Sequence, residues 1–161
     1  MTIDRYAVFG HPISHSKSPR IHALFAAQTS QSMIYDAQDV PAAAFETATQ
    51  DFFNAGGKGL NCTVPLKELA WQYAHQLTER ARLSKAVNTL MRQTDGSVLG
   101  DNTDGMGLVN DLTINHGLTL SERRILILGA GGATRGIMAP ILMHKPHSIT
   151  IANRTLSKAQ A

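Results

Sequence analysis

Short, β-rich apolar runs alternate along this chain with stretches whose apolar residues recur at helical spacing. "YAVFG" (6–10) reads as a first strand stopped by a glycine turn. After the polar "HPISHSKSP", Pro19 stands where a helix begins, and Ile21, Leu24 and Phe25 follow at helical spacing. "MIYDAQDV" (33–40) predicts a second strand, and 41–57 a helix opened by Pro41 and closed near Gly56. "KGLNCTV" (58–64) predicts a third strand halted by Pro65, and "LKELAWQYAHQL" (66–77) a third helix. "AVNTLMR" and "SVLGDN", joined by "QTDG", predict a hairpin or an adjacent strand pair, and "DGMGLVNDLTINHG" a helix ending near Gly117.

The same alternation continues beyond a polar connection, "LTLSERR". "ILILG" (125–129) predicts a strongly apolar short strand, and "ATRGIMAPILMHK" a helix in which Pro140 is a local flaw. "SITIANR" (148–154) predicts a further strand, and "LSKAQA" the start of another helix. Strands and helices in this order indicate an α/β architecture with mostly parallel sheets. A boundary is expected between Asp104 and Ser121. About five strands precede it, and one βαβ unit follows, too little for a complete doubly wound sheet. No internal repeat or low-complexity tract interrupts the pattern.

Composition narrows the classes. With 161 residues, 43% hydrophobic and 17% charged, the chain has the length and apolar content of one globular domain or two small ones sharing an interface. The formal charge of +3 comes from scattered lysines and arginines, without the basic run that suits nucleic acid, so anionic small molecules are the better match. Cys62 is the only cysteine, which excludes an internal disulfide and is compatible with a reducing cytoplasm. The N-terminus does not read as a signal peptide, and the apolar run at Ile125 is too short for a membrane span. A soluble protein is expected, with no membrane or nucleic-acid partner.

"ILILGAGGATRG" is an apolar strand running into a glycine turn and then a helix, the arrangement that cradles a dinucleotide pyrophosphate. Gly129 suits the tight turn, and Gly131 a close approach of backbone to phosphate. The strict six-residue glycine fingerprint is not met, because Thr134 holds its last position; Gly132 and Gly136 supply a shifted version. A purely structural turn is the alternative. At the end of the next strand, NAD sites carry an acidic residue for the ribose 2′-hydroxyl. Here the chain reads Asn153, Arg154, Thr155 and then Lys158, a set that suits the 2′-phosphate of NADP, or else a solvated polar loop.

Four polar stretches fall at turns or strand ends of the first part: "SHSKSP", "NCTVPLK", "VNT" and "GDNTD". Ser16 and Ser18 could hold a carboxylate or hydroxyls, and Asn61, Thr63 and Asn88 suit a polyhydroxylated ligand. Lys67 and Asp104 supply a cation and an anion able to work as a proton-transfer pair. Singly, each has a plainer reading: turn or helix cap for the serines, asparagines and Asp104, surface residue for Lys67. His15, His22 and His75 show no metal-ligand spacing, so no metal is expected, and Met106, Met138 and Met143 read as core fillers.

Taken together, "VFGHPISHSKSPRIH", "GGKGLNCTVPLKE", "AVNTL", "GDNTDGMG", "GAGGATRG" and "NRT" resemble the shikimate dehydrogenase family in order and spacing, from about Tyr6 to Lys158. The resemblance implies an N-terminal α/β substrate domain (1–104), a connecting helix and linker (105–120), and the first βαβ unit of a Rossmann-type NADP-binding domain (121–161). It implies an enzyme that reduces 3-dehydroshikimate to shikimate with NADPH, reversibly, on the route to chorismate and aromatic amino acids. Ser16 and Ser18 would bind the substrate carboxylate, and Asn61, Thr63, Asn88 and Asp104 the ring hydroxyls. Lys67 would be the catalytic residue, paired with Asp104. Gly129, Ala130, Gly131, Gly132 and Ala133 would hold the pyrophosphate, and Asn153, Arg154, Thr155 and Lys158 the 2′-phosphate end. A free lysine is protonated at neutral pH, which suits a proton donor to a ketone oxygen gaining charge during reduction.

Two departures from the family pattern are mild: Cys62 where valine is common, and Thr134 in the glycine loop. The larger one is length, since the chain reaches only one βαβ unit into the cofactor domain. Later Rossmann strands, a substrate-contacting glutamine and C-terminal helices would lie outside it, and weak or absent turnover is expected of these 161 residues alone. Two other readings stay open: a quinate/shikimate dehydrogenase that also accepts NAD, and a non-catalytic shikimate-binding module. A cytoplasmic monomer or homodimer is expected.

Overall fold

The computed structural model describes residues 3–160, apart from the side chain of Lys158. Six strands form one mixed sheet: β1 (Asp4–Gly10), β2 (Met33–Asp39), β3 (Gly57–Cys62), β4 (Gln76–Leu77), β5 (Thr89–Arg92) and β6 (Val98–Asp101), in the order β2-β1-β3-β5-β6-β4. β1 lies parallel to both β2 and β3, whereas β5 runs antiparallel to β3 and to β6. Reversal of β5 places its first residue beside the last residues of β3 and β6, with Thr89 opposite both Asn61 and Asp101.

Helix α1 (Ser18–Gln28) begins at the Pro19 signal, and a short 3₁₀ turn (Ala42–Ala44) leads into α2 (Phe45–Asn54). Phe45, Phe52 and Phe53 of α2 pack with Phe9, Leu60 and Leu90 of the sheet and with Leu66 and Ala70, the latter on α3 (Lys67–Tyr73). Removing a run of side chains this size from water is the main favourable term holding the domain together.

The third helix is shorter than its periodicity predicts. It stops at Tyr73, Ala74 turns extended, and Gln76–Leu77 add to the edge of the sheet beside Leu99 and Gly100. The sheet therefore has six strands rather than about five. Helix α4 (Glu79–Ser84) was not anticipated; Thr78 caps it, its hydroxyl accepting from the Ala81 N–H at 3.3 Å.

Beyond the sheet, α5 (Asp104–Asn110) continues into a π-helical turn (Asp111–Asn115), and the chain leaves through Gly117. A second, two-stranded parallel sheet follows, β7 (Arg124–Leu128) and β8 (Ser148–Ala152), connected through α6 (Gly132–Met143); α7 (Leu156–Gln160) comes last. Ile125, Ile127 and Ile149 face a second core of Val109, Leu120 and Ile141, while Leu126 and Leu128 point to the uncovered face. α6 packs on both α5 and α4, which joins the two sheets. No helix among the described residues is long and apolar enough to cross a membrane.

Candidate functional site

The strand register brings four polar stretches to one edge of the six-stranded sheet. Gly10, at the end of β1, leads into the segment carrying Ser16 and Ser18. Cys62, at the end of β3, leads through Thr63 to Lys67, the first residue of α3. Asn88 precedes β5, and Asp101–Asp104 follow β6. The Asn88 N–H donates to the Asp101 carbonyl at 3.0 Å and the Cys62 N–H to the Asn88 carbonyl at 2.9 Å, so backbone pairing continues to this edge.

At its centre Lys67 Nζ donates to Asp104 Oδ2 at 2.5 Å, both side chains largely shielded from solvent. The other carboxylate oxygen, Oδ1, accepts from Asn88 Nδ2 at 2.8 Å. Asn88 is held in turn: its Nδ2 also donates to the Thr103 hydroxyl, and its Oδ1 accepts from the Thr103 N–H and the Thr89 hydroxyl. Next in the array, Asn61 Nδ2 donates to the Asn88 carbonyl and to Thr89 Oγ1, each at 3.1 Å. The hydrogen bonds thus run unbroken from Asn61 to Lys67. Ser16 and Ser18 are half-buried at the mouth of α1, with the Ser18 N–H on Ser16 Oγ at 3.3 Å. Thr63 closes the end of β1, its N–H on the Phe9 carbonyl at 2.9 Å.

The two acidic residues of "GDNTD" do different things. Asp101 ties α4 to the sheet, its Oδ1 accepting from the Thr78 hydroxyl and from Arg80 Nε, both at 2.6 Å, and its Oδ2 from Arg80 Nη2. The Arg80 guanidinium, aided by the Thr78 hydroxyl, holds this carboxyl below the usual range against a burial effect that would raise it. Asn102 between them is buried; its Nδ2 donates to the Ala86 carbonyl at 2.9 Å, and its Oδ1 accepts from the Asp104 N–H at 3.1 Å.

Several supporting residues escape a reading of the sequence. Ser84 belongs to the unanticipated α4 and accepts from Asn102. Tyr35 of β2 donates to Asn61 Oδ1 at 2.6 Å. Alternation along a strand puts it on the same face as Met33, but nothing in "MIYDAQDV" names its partner.

The glycine loop stands against the lysine. A Cβ placed on Gly132 would lie 3.6 Å from Lys67 Cβ. Gly129 has φ +109°, a conformation that favours glycine, and nothing lies within 4 Å of the Cβ position at Gly129 or Gly131, so the turn is open on its outer side. The N-terminus of α6 has no side-chain cap, leaving its first N–H groups available, and a cleft of about 850 Å³ lies between this turn, α4 and the end of β8. These features fit the pyrophosphate of a dinucleotide. Ala130 is half-buried and Ala133 exposed on the same turn. Asn153 is folded onto its own loop, its Nδ2 donating to the Thr155 carbonyl at 2.7 Å, and Arg154 and Thr155 are exposed. The Lys158 side chain lies outside the described residues. Arg135 of α6 pairs with Glu68 of α3 across the cleft, an exposed contact worth less than about 1 kcal/mol.

Comparisons with known proteins agree with this geometry. Residues 8–90 match the shikimate dehydrogenase substrate binding domain, and residues 112–161 match the family described as shikimate / quinate 5-dehydrogenase. The chain is 61% identical over 157 residues to a shikimate dehydrogenase (NADP(+)) of Methylococcus capsulatus, covering 98% of this chain and 56% of that protein. It is 59% identical over 158 residues to one of Vibrio cholerae, with the same coverages. A crystal structure of shikimate 5-dehydrogenase from Thermus thermophilus, in complex with NADP(H) and shikimate, superposes with a TM-score of 0.89 at 33% identity, over 98% of this chain and 59% of that one. The chain therefore spans a little over half the length of the curated relatives it matches.

Proposed function

The chain belongs to the shikimate dehydrogenase family, and from that premise we propose that it takes part in the reversible, NADP-dependent interconversion of 3-dehydroshikimate and shikimate. One observation carries the reading: a Cβ on Gly132 of the glycine turn would lie 3.6 Å from Lys67 Cβ, so the cofactor turn lies beside the residue whose ammonium is paired with Asp104.

On this reading residues 1–104 hold the substrate, residues 121–161 begin the cofactor site, and residues 105–120 connect them. When bound, NADPH supplies the hydride that reduces the ketone, and NADP⁺ accepts it in reverse. Gly129, Ala130, Gly131, Gly132 and Ala133 line the pyrophosphate, and Asn153, Arg154, Thr155 and Lys158 surround the 2′-phosphate. Ser16 and Ser18 hold the substrate carboxylate, while Asn61, Thr63, Asn88 and Asp104 contact ring hydroxyls.

Lys67 does the proton chemistry. As the carbonyl oxygen gains negative charge, the adjacent ammonium stabilises it and gives up a proton; in the oxidative direction the amine takes that proton back. Asp104 fixes where the ammonium sits and compensates its charge. A cytoplasmic setting suits the single buried thiol of Cys62.

An absorbance assay of NADP reduction by shikimate tests the reading, run on the protein at its full natural length. Turnover that disappears in Lys67→Ala while shikimate still binds supports it. Tight shikimate binding with no turnover in the unaltered protein overturns it in favour of a binding module.

A further inference from the structure

Resting on the dehydrogenase reading, we propose that Tyr35 is a positioning residue, acting through Asn61 to present the Asn61 carbonyl oxygen as an acceptor for a ring hydroxyl of the substrate. The argument begins with the one partner of Asn61 whose polarity is fixed. The Asn88 main-chain carbonyl can only accept, so the Asn61 atom 3.1 Å from it is Nδ2. The second hydrogen on Nδ2 goes to Thr89 Oγ1, whose own hydrogen goes to Asn88 Oδ1 at 2.8 Å. Both amide hydrogens are thereby committed within the protein. The remaining capacity of Asn61 is Oδ1, with two acceptor sites. Tyr35 takes one at 2.6 Å, and the other is left for a ligand donor. A hydroxyl-bearing ring is recognised here by its hydrogen, not by its oxygen.

Tyr35 can hold this oxygen because it is itself held. Its ring stacks on His22 with centroids 3.9 Å apart and planes 8° from parallel. His22 Nδ1 donates to the Ser18 carbonyl at 2.9 Å, in the first turn of α1. Burial raises the Tyr35 phenol far above its ordinary titration range, so it keeps its hydrogen. The same four residues, His22, Tyr35, Asn61 and Thr89, line a cleft of about 320 Å³ along the sheet. Through its stack on His22 and its hydrogen bond to Asn61, Tyr35 therefore links the Ser16–Ser18 limb of the site to the Asn61–Asn88–Asp104 limb.

The test is steady-state kinetics with shikimate and NADP⁺ on the full-length protein, comparing the unaltered enzyme, Tyr35→Phe, Asn61→Ala and the double variant. Unfolding of each by circular dichroism runs alongside. Tyr35→Phe keeps the ring and its stacking, so its KM for shikimate rises about three- to tenfold while kcat changes less than about twofold. Asn61→Ala raises KM further, and the double variant is no worse than Asn61→Ala alone, since Tyr35 then has nothing to act through. An unchanged KM in Tyr35→Phe, even with a lower melting temperature, overturns the proposal, as do additive effects in the double variant. Absence of turnover in the unaltered enzyme is a separate result, which overturns the dehydrogenase reading and this inference with it.

Discussion

Asn102 and Gly136 meet so closely that no side chain fits between them. A Cβ on Gly136 would lie 2.8 Å from Asn102 Nδ2 and 2.9 Å from Oδ1, and one on Gly105 would lie 2.5 Å from the Gly136 carbonyl. Asn102 cannot give way, because Ser84, the Ala86 carbonyl and the Asp104 N–H hold its amide. Through this contact the helix of the glycine loop rests on the residue that orients Asp104.

In an ordinary helix interior, Gly→Ala stabilises by about 1 kcal/mol. At position 136 the sign reverses: Gly136→Ala lowers the unfolding free energy by about 1–3 kcal/mol, the cost of overpacking. Urea denaturation decides the matter, and a more stable variant would show that the contact is soft.

Lys67→Ala lowers kcat by about 10²–10⁴-fold, the range for loss of a positioned proton-transfer group, with a much smaller change in shikimate affinity. Single-turnover absorbance measurements and equilibrium titration with shikimate separate the two effects. Equal losses in binding and rate would assign Lys67 to substrate binding alone.

Arg154 is exposed at the end of β8 and available to a phosphate. Arg154→Ala raises KM for NADPH by about 10- to 100-fold, as expected for a lost charge-assisted pair, and leaves KM for NADH nearly unchanged. The ratio of the two cofactors' kcat/KM values is the readout, and an equal effect on both would remove Arg154 from the 2′-phosphate site.

Asp101 carries a pH signature. Its folded-state pKa lies below the unfolded value because Arg80 and Thr78 hydrogen-bond to the carboxylate. Its stabilising contribution is therefore complete above the unfolded value of about 4 and is lost as pH falls through the lowered folded value. Arg80→Ala removes much of that difference, so between about pH 5 and pH 2 its urea midpoint falls less steeply than that of the unaltered protein. Parallel slopes would show that Arg80 is not the main cause.

Cys62 is buried in the core, and burial pushes its thiol up well above the ordinary range despite the nearby Lys67 charge. Modification by a thiol reagent in native buffer follows the rate at which the domain opens, and one thiol reacts at once in denaturant. Rapid labelling of the native protein would show a local opening of β3.

Much of this architecture can be read from the chain because its signals are local. Pro19 and Pro41 mark where helical structure begins, Gly10 ends a strand, and the Gly129 turn follows its apolar strand directly. The edge carrying Lys67 and Asp104 is legible as four polar stretches, each at a strand end. What stays hidden is pairing at long sequence separation. Nothing local says that Gln76–Leu77 leave a helical pattern to extend a sheet, since that gain comes from the open edge of β6. Nothing in residues 33–40 says that Tyr35 reaches Asn61, 26 positions away. Asp101 and Asp104 look equivalent in sequence, and only the location of Arg80 and Lys67 tells the carboxylate that braces α4 from the one paired with the lysine.

The reversed strand β5 has a consequence for how this protein comes into being. The β5–β6 hairpin can close locally, but Asn61 gains Asn88 and Thr89 as partners only when β3, from an earlier part of the chain, docks beside Thr89. Closing that longer loop costs entropy before any site contact offsets it. A chain that has collapsed without the β3–β5 ladder therefore has neither the Asn61–Asn88 array nor the seat for Asp104 beside Lys67. If the proposed function holds, shikimate discriminates fully assembled molecules from every partly folded one, and added during refolding it traps the finished state without hastening the steps that precede it.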